Sequence, residues 1–124
     1  MREEITSLSS QFEALIKSSF LTFDEVSGLK NRMGVYMIYE CNKLIYVGKT
    51  NKFHVRFGTD LRHETTHTLV RKLIKRGTHA DRYEVIDFLR TKCKIQIGFC
   101  DTNRGAEALE AIAIFILNPE LNRL

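Results

Sequence analysis

The chain has 124 residues, 44% of them hydrophobic and 27% charged, with a formal net charge of +4. That length fits one domain with a core of modest stability, and a single proline with seven glycines excludes a collagen-like or low-complexity chain. No apolar run approaches the roughly eighteen residues of a membrane span, and three cysteines without C-x-x-C spacing exclude a disulfide scaffold. With free thiols and no signal peptide in view, a soluble cytoplasmic protein is expected, with no membrane partner. The positive balance is compatible with a polyanionic partner such as nucleic acid.

Residues 3–17 read as a helix, with Phe12, Leu15 and Ile16 at helical spacing and Ser7 to Ser10 as a start or a break. Thr22 and Glu25 have the spacing of a capping box and open a second, short helix. Residues 1–30 are therefore expected as a helical extension packed on the single domain 1–124, with a scaffold role. Val35 to Glu40 and Leu44 to Val47 are rich in β-branched and aromatic residues. The polar stretch Glu40-Cys41-Asn42-Lys43 between them, centred on Asn, suits a tight turn, which makes a β-hairpin. Alternation puts Tyr36, Ile38 and Glu40 on one face and Val35, Met37 and Tyr39 on the other. The hairpin thus brings the Tyr36 and Tyr46 hydroxyls towards one another; taken alone, two such tyrosines are cross-strand packing partners. Gly48 ends the second strand, where backbone can approach a ligand closely, and Lys49 follows it.

Lys52 to about Phe57 is expected as a short helix carrying Arg56 and weakened by Gly58. Asp60 to His67 is polar, either loop or frayed helix. Thr66 or Thr68 caps a helix that carries Arg71, Lys72, Lys75 and Arg76, with Gly77 as its stop. Tyr83 to Leu89 fits a strand or a short helix. Lys94 to Cys100 alternates as a half-buried strand, and Cys93 and Cys100 read as buried small hydrophobes. Asp101 to Gly105 is expected as a loop. Ala106 to Leu117 is a strongly apolar helix, with Leu109, Ile112, Ala113 and Ile116 on its inner face and Pro119 just past its end. This order of elements implies an α/β fold with a small central, mainly antiparallel sheet flanked by helices.

One ordered set of residues goes further. Gly34-Val35-Tyr36 is followed after nine residues by Tyr46-Val47-Gly48, then by Lys49, Arg56, Glu110 in the late helix, and the ending Asn118-Pro119-Glu120-Leu121-Asn122. Over roughly residues 30–124 the chain resembles the GIY-YIG nuclease superfamily. Each triplet alone is weak; the ordered set is specific. The resemblance implies a three-stranded sheet and an endonuclease that hydrolyses DNA phosphodiesters with Mg²⁺ or Mn²⁺, leaving 5′-phosphate and 3′-hydroxyl ends.

It also implies roles. Tyr36 and Tyr46 are the candidate general bases, with Tyr36 preferred and Tyr46 orienting phosphate or water. A phenol has a pKa near 10 and is a poor base unless nearby cations lower that value; Lys49, Arg56 and a bound metal are such cations. Arg56 presents a planar fork suited to phosphate oxygens. Glu110 is the metal ligand, with Glu107 as the competing carboxylate, and one carboxylate plus waters suits Mg²⁺. Asn122 either bonds a phosphate or caps the chain end.

The match departs from the pattern after Arg56. The family places a His or Tyr four residues later; here that residue is Asp60, and Gly58 interrupts the helix. His63 is carried over as the substitute, with His67 or no residue as alternatives. His63 and His67 lack a third zinc ligand near in sequence. Lys52, Arg62, Arg71, Lys72, Lys75 and Arg76 are either a track for DNA phosphates or a solvated face. No separate DNA-reading module is present, so specificity is weak, absent or supplied by a protein partner. Repair, recombination, restriction and mobile-element roles stay open. So do a non-catalytic nucleic-acid-binding domain of the same fold and a structural domain whose tyrosines are core.

Overall fold

The structure, a computed structural model, describes residues 2–59 and 68–123. Three strands, β1 (Gly34–Glu40), β2 (Lys43–Thr50) and β3 (Cys93–Phe99), form one sheet in the order β2-β1-β3, with both pairings antiparallel. Around it lie α1 (Arg2–Lys17), α2 (Phe23–Ser27), a π-helical turn (Val55–Thr59), α3 (Thr68–Arg76), α4 (Arg82–Lys92), α5 (Asn103–Leu117) and a closing 3-10 turn (Glu120–Arg123). The fold class is the expected one: an antiparallel three-stranded sheet with helices on both faces. No helix among the described residues is long and apolar enough to cross a membrane.

Local chemistry accounts for most element ends. The Thr22 hydroxyl accepts from the Glu25 amide at 3.2 Å, while the Glu25 carboxylate accepts from the Thr22 amide at 3.0 Å, the reciprocal bonds of a capping box. Gly77, at φ +84°, takes the left-handed conformation that closes α3. In the hairpin, Cys41 rather than Asn42 carries the positive φ, +56°. Three expectations need correction, and one open reading is decided. Ser7 to Ser10 lies inside an unbroken α1. Tyr83 to Leu89 is helical, because Asp81 caps α4 and Val85, Phe88 and Leu89 form a buried stripe at helical spacing. Asp101 to Gly105 is not all loop: Thr102 accepts from the Gly105 amide at 2.9 Å and starts α5 at Asn103. Ile116 does not belong to the inner face of α5. That face is Ala106, Leu109 and Ala113, and Ile116 stands 54% exposed.

The sheet separates two cores. On one side Tyr36, Ile38, Ile45, Tyr46, Ile95 and Ile97 pack under α2, the π-helical turn, α3 and α4. On the other Val35, Met37 and Val47 pack under α1, through Leu15, and α5. Both outer strands have blocked edges. Leu21 exchanges backbone hydrogen bonds with Ile95 of β3, 2.7 and 2.9 Å. The Asn122 side chain does the same for Val47 of β2, accepting from its amide and donating to its carbonyl at 2.8 Å each. Such closures keep a small sheet from pairing with other chains.

Candidate active site

The two tyrosines share a face because the hairpin register slips once. Ile38 pairs with Tyr46 but Tyr39 pairs with Leu44, so Ile45 has no partner on β1. This bulge lets Ile45 and Tyr46, adjacent in sequence, both enter the same core, while Leu44 and Val47 pack on the opposite side. Tyr36 pairs with Gly48, which makes Tyr36 and Tyr46 diagonal neighbours, close enough for aromatic side chains to meet. Their ring centroids lie 6.1 Å apart.

Gly48 is required by this geometry. A Cβ there would stand 2.5 Å from both Cζ and the hydroxyl oxygen of Tyr36. The close approach that a glycine allows at position 48 is used by the Tyr36 phenol. The Tyr36 ring is walled on its other sides by Phe53 and Phe57, centroids 6.1 and 5.0 Å away. These two phenylalanines, one turn apart, are the buried face of the turn that carries Arg56, and both are fully inaccessible. His54 ties the same turn to α2, its Nδ1 2.6 Å from the Ser27 carbonyl.

Burial raises the Tyr36 pKa well above the ordinary phenol value, and the interaction with the Tyr46 hydroxyl adds to the rise. Tyr46 is also raised by burial, but the contact with the Tyr36 hydroxyl pulls it down. The two phenols thus perturb one another, and Tyr36 is the more deeply buried of the pair. The Arg56 charge lowers and the Glu110 charge raises the pKa of both phenols. Arg56 and Glu110 therefore bear on one hydroxyl pair, although Glu110 sits on α5, across the sheet from the tyrosine core. β2 is an edge strand, so the two faces meet along its margin.

From that margin Lys49 reaches α5. Its ammonium donates to Asn103 Oδ1 at 3.3 Å and to Glu107 Oε1 at 3.5 Å, and Asn103 donates to the same Glu107 oxygen at 3.1 Å. Glu107 is thus exposed and paired. Glu110 is half-buried, its pKa raised by burial and lowered by Lys49. Among the described residues no cluster of three or more His, Cys, Asp or Glu side chains surrounds a metal position. A single half-buried carboxylate suits a hard divalent ion that keeps most of its water, and not a zinc-type cage.

No protein-family model and no curated protein matches the chain. Among solved structures, the magnesium-bound GIY-YIG N-terminal endonuclease domain of UvrC from Thermotoga maritima aligns with a TM-score of 0.55 at 19% identity, over 80% of this chain and 92% of that one. A point variant of that domain, bound to its catalytic divalent cation, aligns with the same TM-score and identity over 80% and 91%. A second, also cation-bound, gives 0.55 at 18% over 80% and 92%. The chain has a GIY-YIG-like fold.

Within this GIY-YIG-like fold, Tyr36, Tyr46, Lys49, Arg56 and Glu110 come together. Lys72 of α3 joins them, its ammonium 5.5 Å from the Tyr46 ring centroid. Arg71 lies beside it, exposed. The Asn122 amide is bonded at both ends to the Val47 backbone, so it clasps β2 next to Tyr46. His63, with Asp60, Arg62 and His67, lies outside the described residues. Sequence reasoning missed Asn103, and the signal for it was present: Asn103 and Glu107 are four residues apart, one helical turn, once α5 is begun at Thr102.

Proposed function

We propose that this protein is a divalent-metal-dependent endonuclease that hydrolyses DNA phosphodiester bonds. The observation that carries this reading is the convergence of one cation, Arg56, and one unshared carboxylate, Glu110, on a single pair of phenol hydroxyls. Neighbours of the same fold that hold a catalytic divalent cation support it.

Burial moves the general base from Tyr36 to Tyr46: Tyr36 is the more buried phenol, walled in by Phe53 and Phe57, and its ring packs beside Tyr46. In its phenolate form, which the Arg56 charge favours, Tyr46 takes a proton from a water as that water's oxygen attacks phosphorus; the P–O3′ bond breaks, the leaving oxygen takes a proton from solvent, and the strand is left with a 5′-phosphate and a 3′-hydroxyl. Arg56 holds non-bridging phosphate oxygens through its fork. Lys49, held by Asn103 and Glu107, keeps positive charge beside Glu110. Glu110 would hold Mg²⁺ or Mn²⁺, which when bound neutralises phosphate charge and offsets the effect of the carboxylate on the phenols.

The deciding experiment is a cleavage assay on plasmid and branched DNA, with and without Mg²⁺ or Mn²⁺, on the wild type and Tyr46→Phe. Metal-dependent nicking lost in Tyr46→Phe is expected. Tight DNA binding with no cleavage under any metal would instead favour a non-catalytic nucleic-acid-binding domain. The deep burial of both phenols is the observation on that side.

A further inference from the structure

The cations of α3 are not equivalent. Arg76 is spent inside the protein, donating to Glu120 Oε1 at 2.6 Å and to Thr78 at 3.1 Å. Thr68, Arg71, Lys72 and Lys75 instead recur at one helical face, opposite the buried Leu69, Val70 and Leu73. They line a shallow depression of about 190 Å³. Among the described residues no carboxylate pairs with Arg71, Lys72 or Lys75. Like charges three and four residues apart on a helix repel, and Lys72 loses part of its proton affinity to burial and to Lys75. A concave face with three cations that no described carboxylate pairs, and a hydroxyl, is built for a dianionic or polyanionic oxygen group. Its inner end is fixed on the site, because Lys72 stacks on the Tyr46 ring.

We propose that the Thr68–Arg71–Lys72–Lys75 depression is an accessory phosphate subsite, which takes a backbone phosphate of the DNA strand flanking the one at Tyr46. This rests on the nuclease reading above for the identity of the strand. It makes α3 the side on which that strand leaves the site, with contacts to backbone and none to base edges. A neighbouring phosphate would then tighten binding of the strand that is cut, and sequence preference would not arise here.

The test uses the full chain and the double variant Arg71→Ala/Lys75→Ala. Binding of a fluorescein-labelled DNA oligonucleotide is measured by anisotropy in EDTA over a range of salt concentrations. Each phosphate contact contributes about 0.7 to 0.9 to the log–log salt slope, so losing this one subsite should lower the slope by about 0.7 to 0.9 in the double variant. Lys17→Ala, which removes a charge from α1 on the other side of the sheet, should leave it unchanged. With metal added, the double variant should show a raised KM on the oligonucleotide but unaltered hydrolysis of bis(p-nitrophenyl) phosphate, which has no second phosphate. An unchanged slope in a double variant with wild-type melting overturns the subsite, as does an equal fall in Lys17→Ala. A fallen slope in a protein that never cuts DNA keeps the subsite and removes the nuclease reading. Cutting with an unchanged slope does the reverse.

Discussion

Tyr36 meets Tyr46 diagonally across the hairpin, ring centroids 6.1 Å apart, and its hydroxyl lies over the bare backbone of Gly48. Three local facts are tied together there: the bulge at Ile45, the missing side chain at position 48 and the aromatic wall of Phe53 and Phe57. Disturbing any one moves the hydroxyl pair.

Gly48→Ala should therefore harm both stability and activity. The new methyl meets the end of the Tyr36 ring at 2.5 Å, and overpacking of this kind costs about 1–3 kcal/mol. Urea denaturation measures the first effect and a nicking assay the second. Wild-type values for both would mean that the ring has room the structure does not show.

The tyrosines should separate in function. Tyr46→Phe removes the proposed base, for which losses of about 10²–10⁴ in rate are typical. Tyr36→Phe removes the neighbouring hydroxyl but leaves the base, so a smaller loss in kcat is expected. Single-turnover cleavage of both variants ranks them; the opposite ranking returns the base to Tyr36.

The two carboxylates of α5 should separate as well. Glu110→Gln should abolish cleavage and leave DNA affinity nearly intact, since phosphate contacts dominate binding. Glu107→Gln loses only an exposed pair with Lys49 at 3.5 Å, a contact of a kind worth under about 1 kcal/mol, and should cut almost normally. Two active variants would show that this helix does not hold the metal.

Asn122→Ala should destabilise the fold. It strips partners from both the amide and the carbonyl of Val47, at a cost of about 1–3 kcal/mol. Asn122→Asp keeps the acceptor but sets a carboxylate against the Val47 carbonyl, and should be no better. Unaltered denaturation midpoints in both would show that the clasp is dispensable.

Stability should fall on the alkaline side. Burial, with smaller help from Glu40, pushes the Cys93 thiol from 9.0 to about 12. Below the lower value both folded and unfolded chains hold the proton, so stability is flat. Between the two values the unfolded chain releases it and the folded chain does not, so stability drops by up to about 1.4 kcal/mol per pH unit. Tyr36, raised by burial, adds a second decline above the ordinary phenol value. Cys93→Ala should flatten the first part of the curve; a wild-type stability constant to pH 10 contradicts this.

What the residues by themselves determined was local or ordered along the chain. The Thr22–Glu25 box, the hairpin, the Gly77 stop and the β3 alternation each depend on groups within a few positions, so their chemistry is visible in sequence. The spaced set of Tyr36, Tyr46, Lys49, Arg56 and Glu110 was legible too, because its order is distinctive. Tertiary structure decided the rest. Alternation cannot reveal the bulge at Ile45, since the extra residue is apolar and hidden in an apolar run. Which phenol is the more buried depends on Phe53 and Phe57, and where the Asn122 amide goes depends on a strand 75 residues earlier. Arg76 and Lys75 are neighbours in sequence, yet among the described residues only Arg76 finds a carboxylate. Burial, pairing and pKa are properties of what surrounds a group, and the surroundings are assembled from distant parts of the chain.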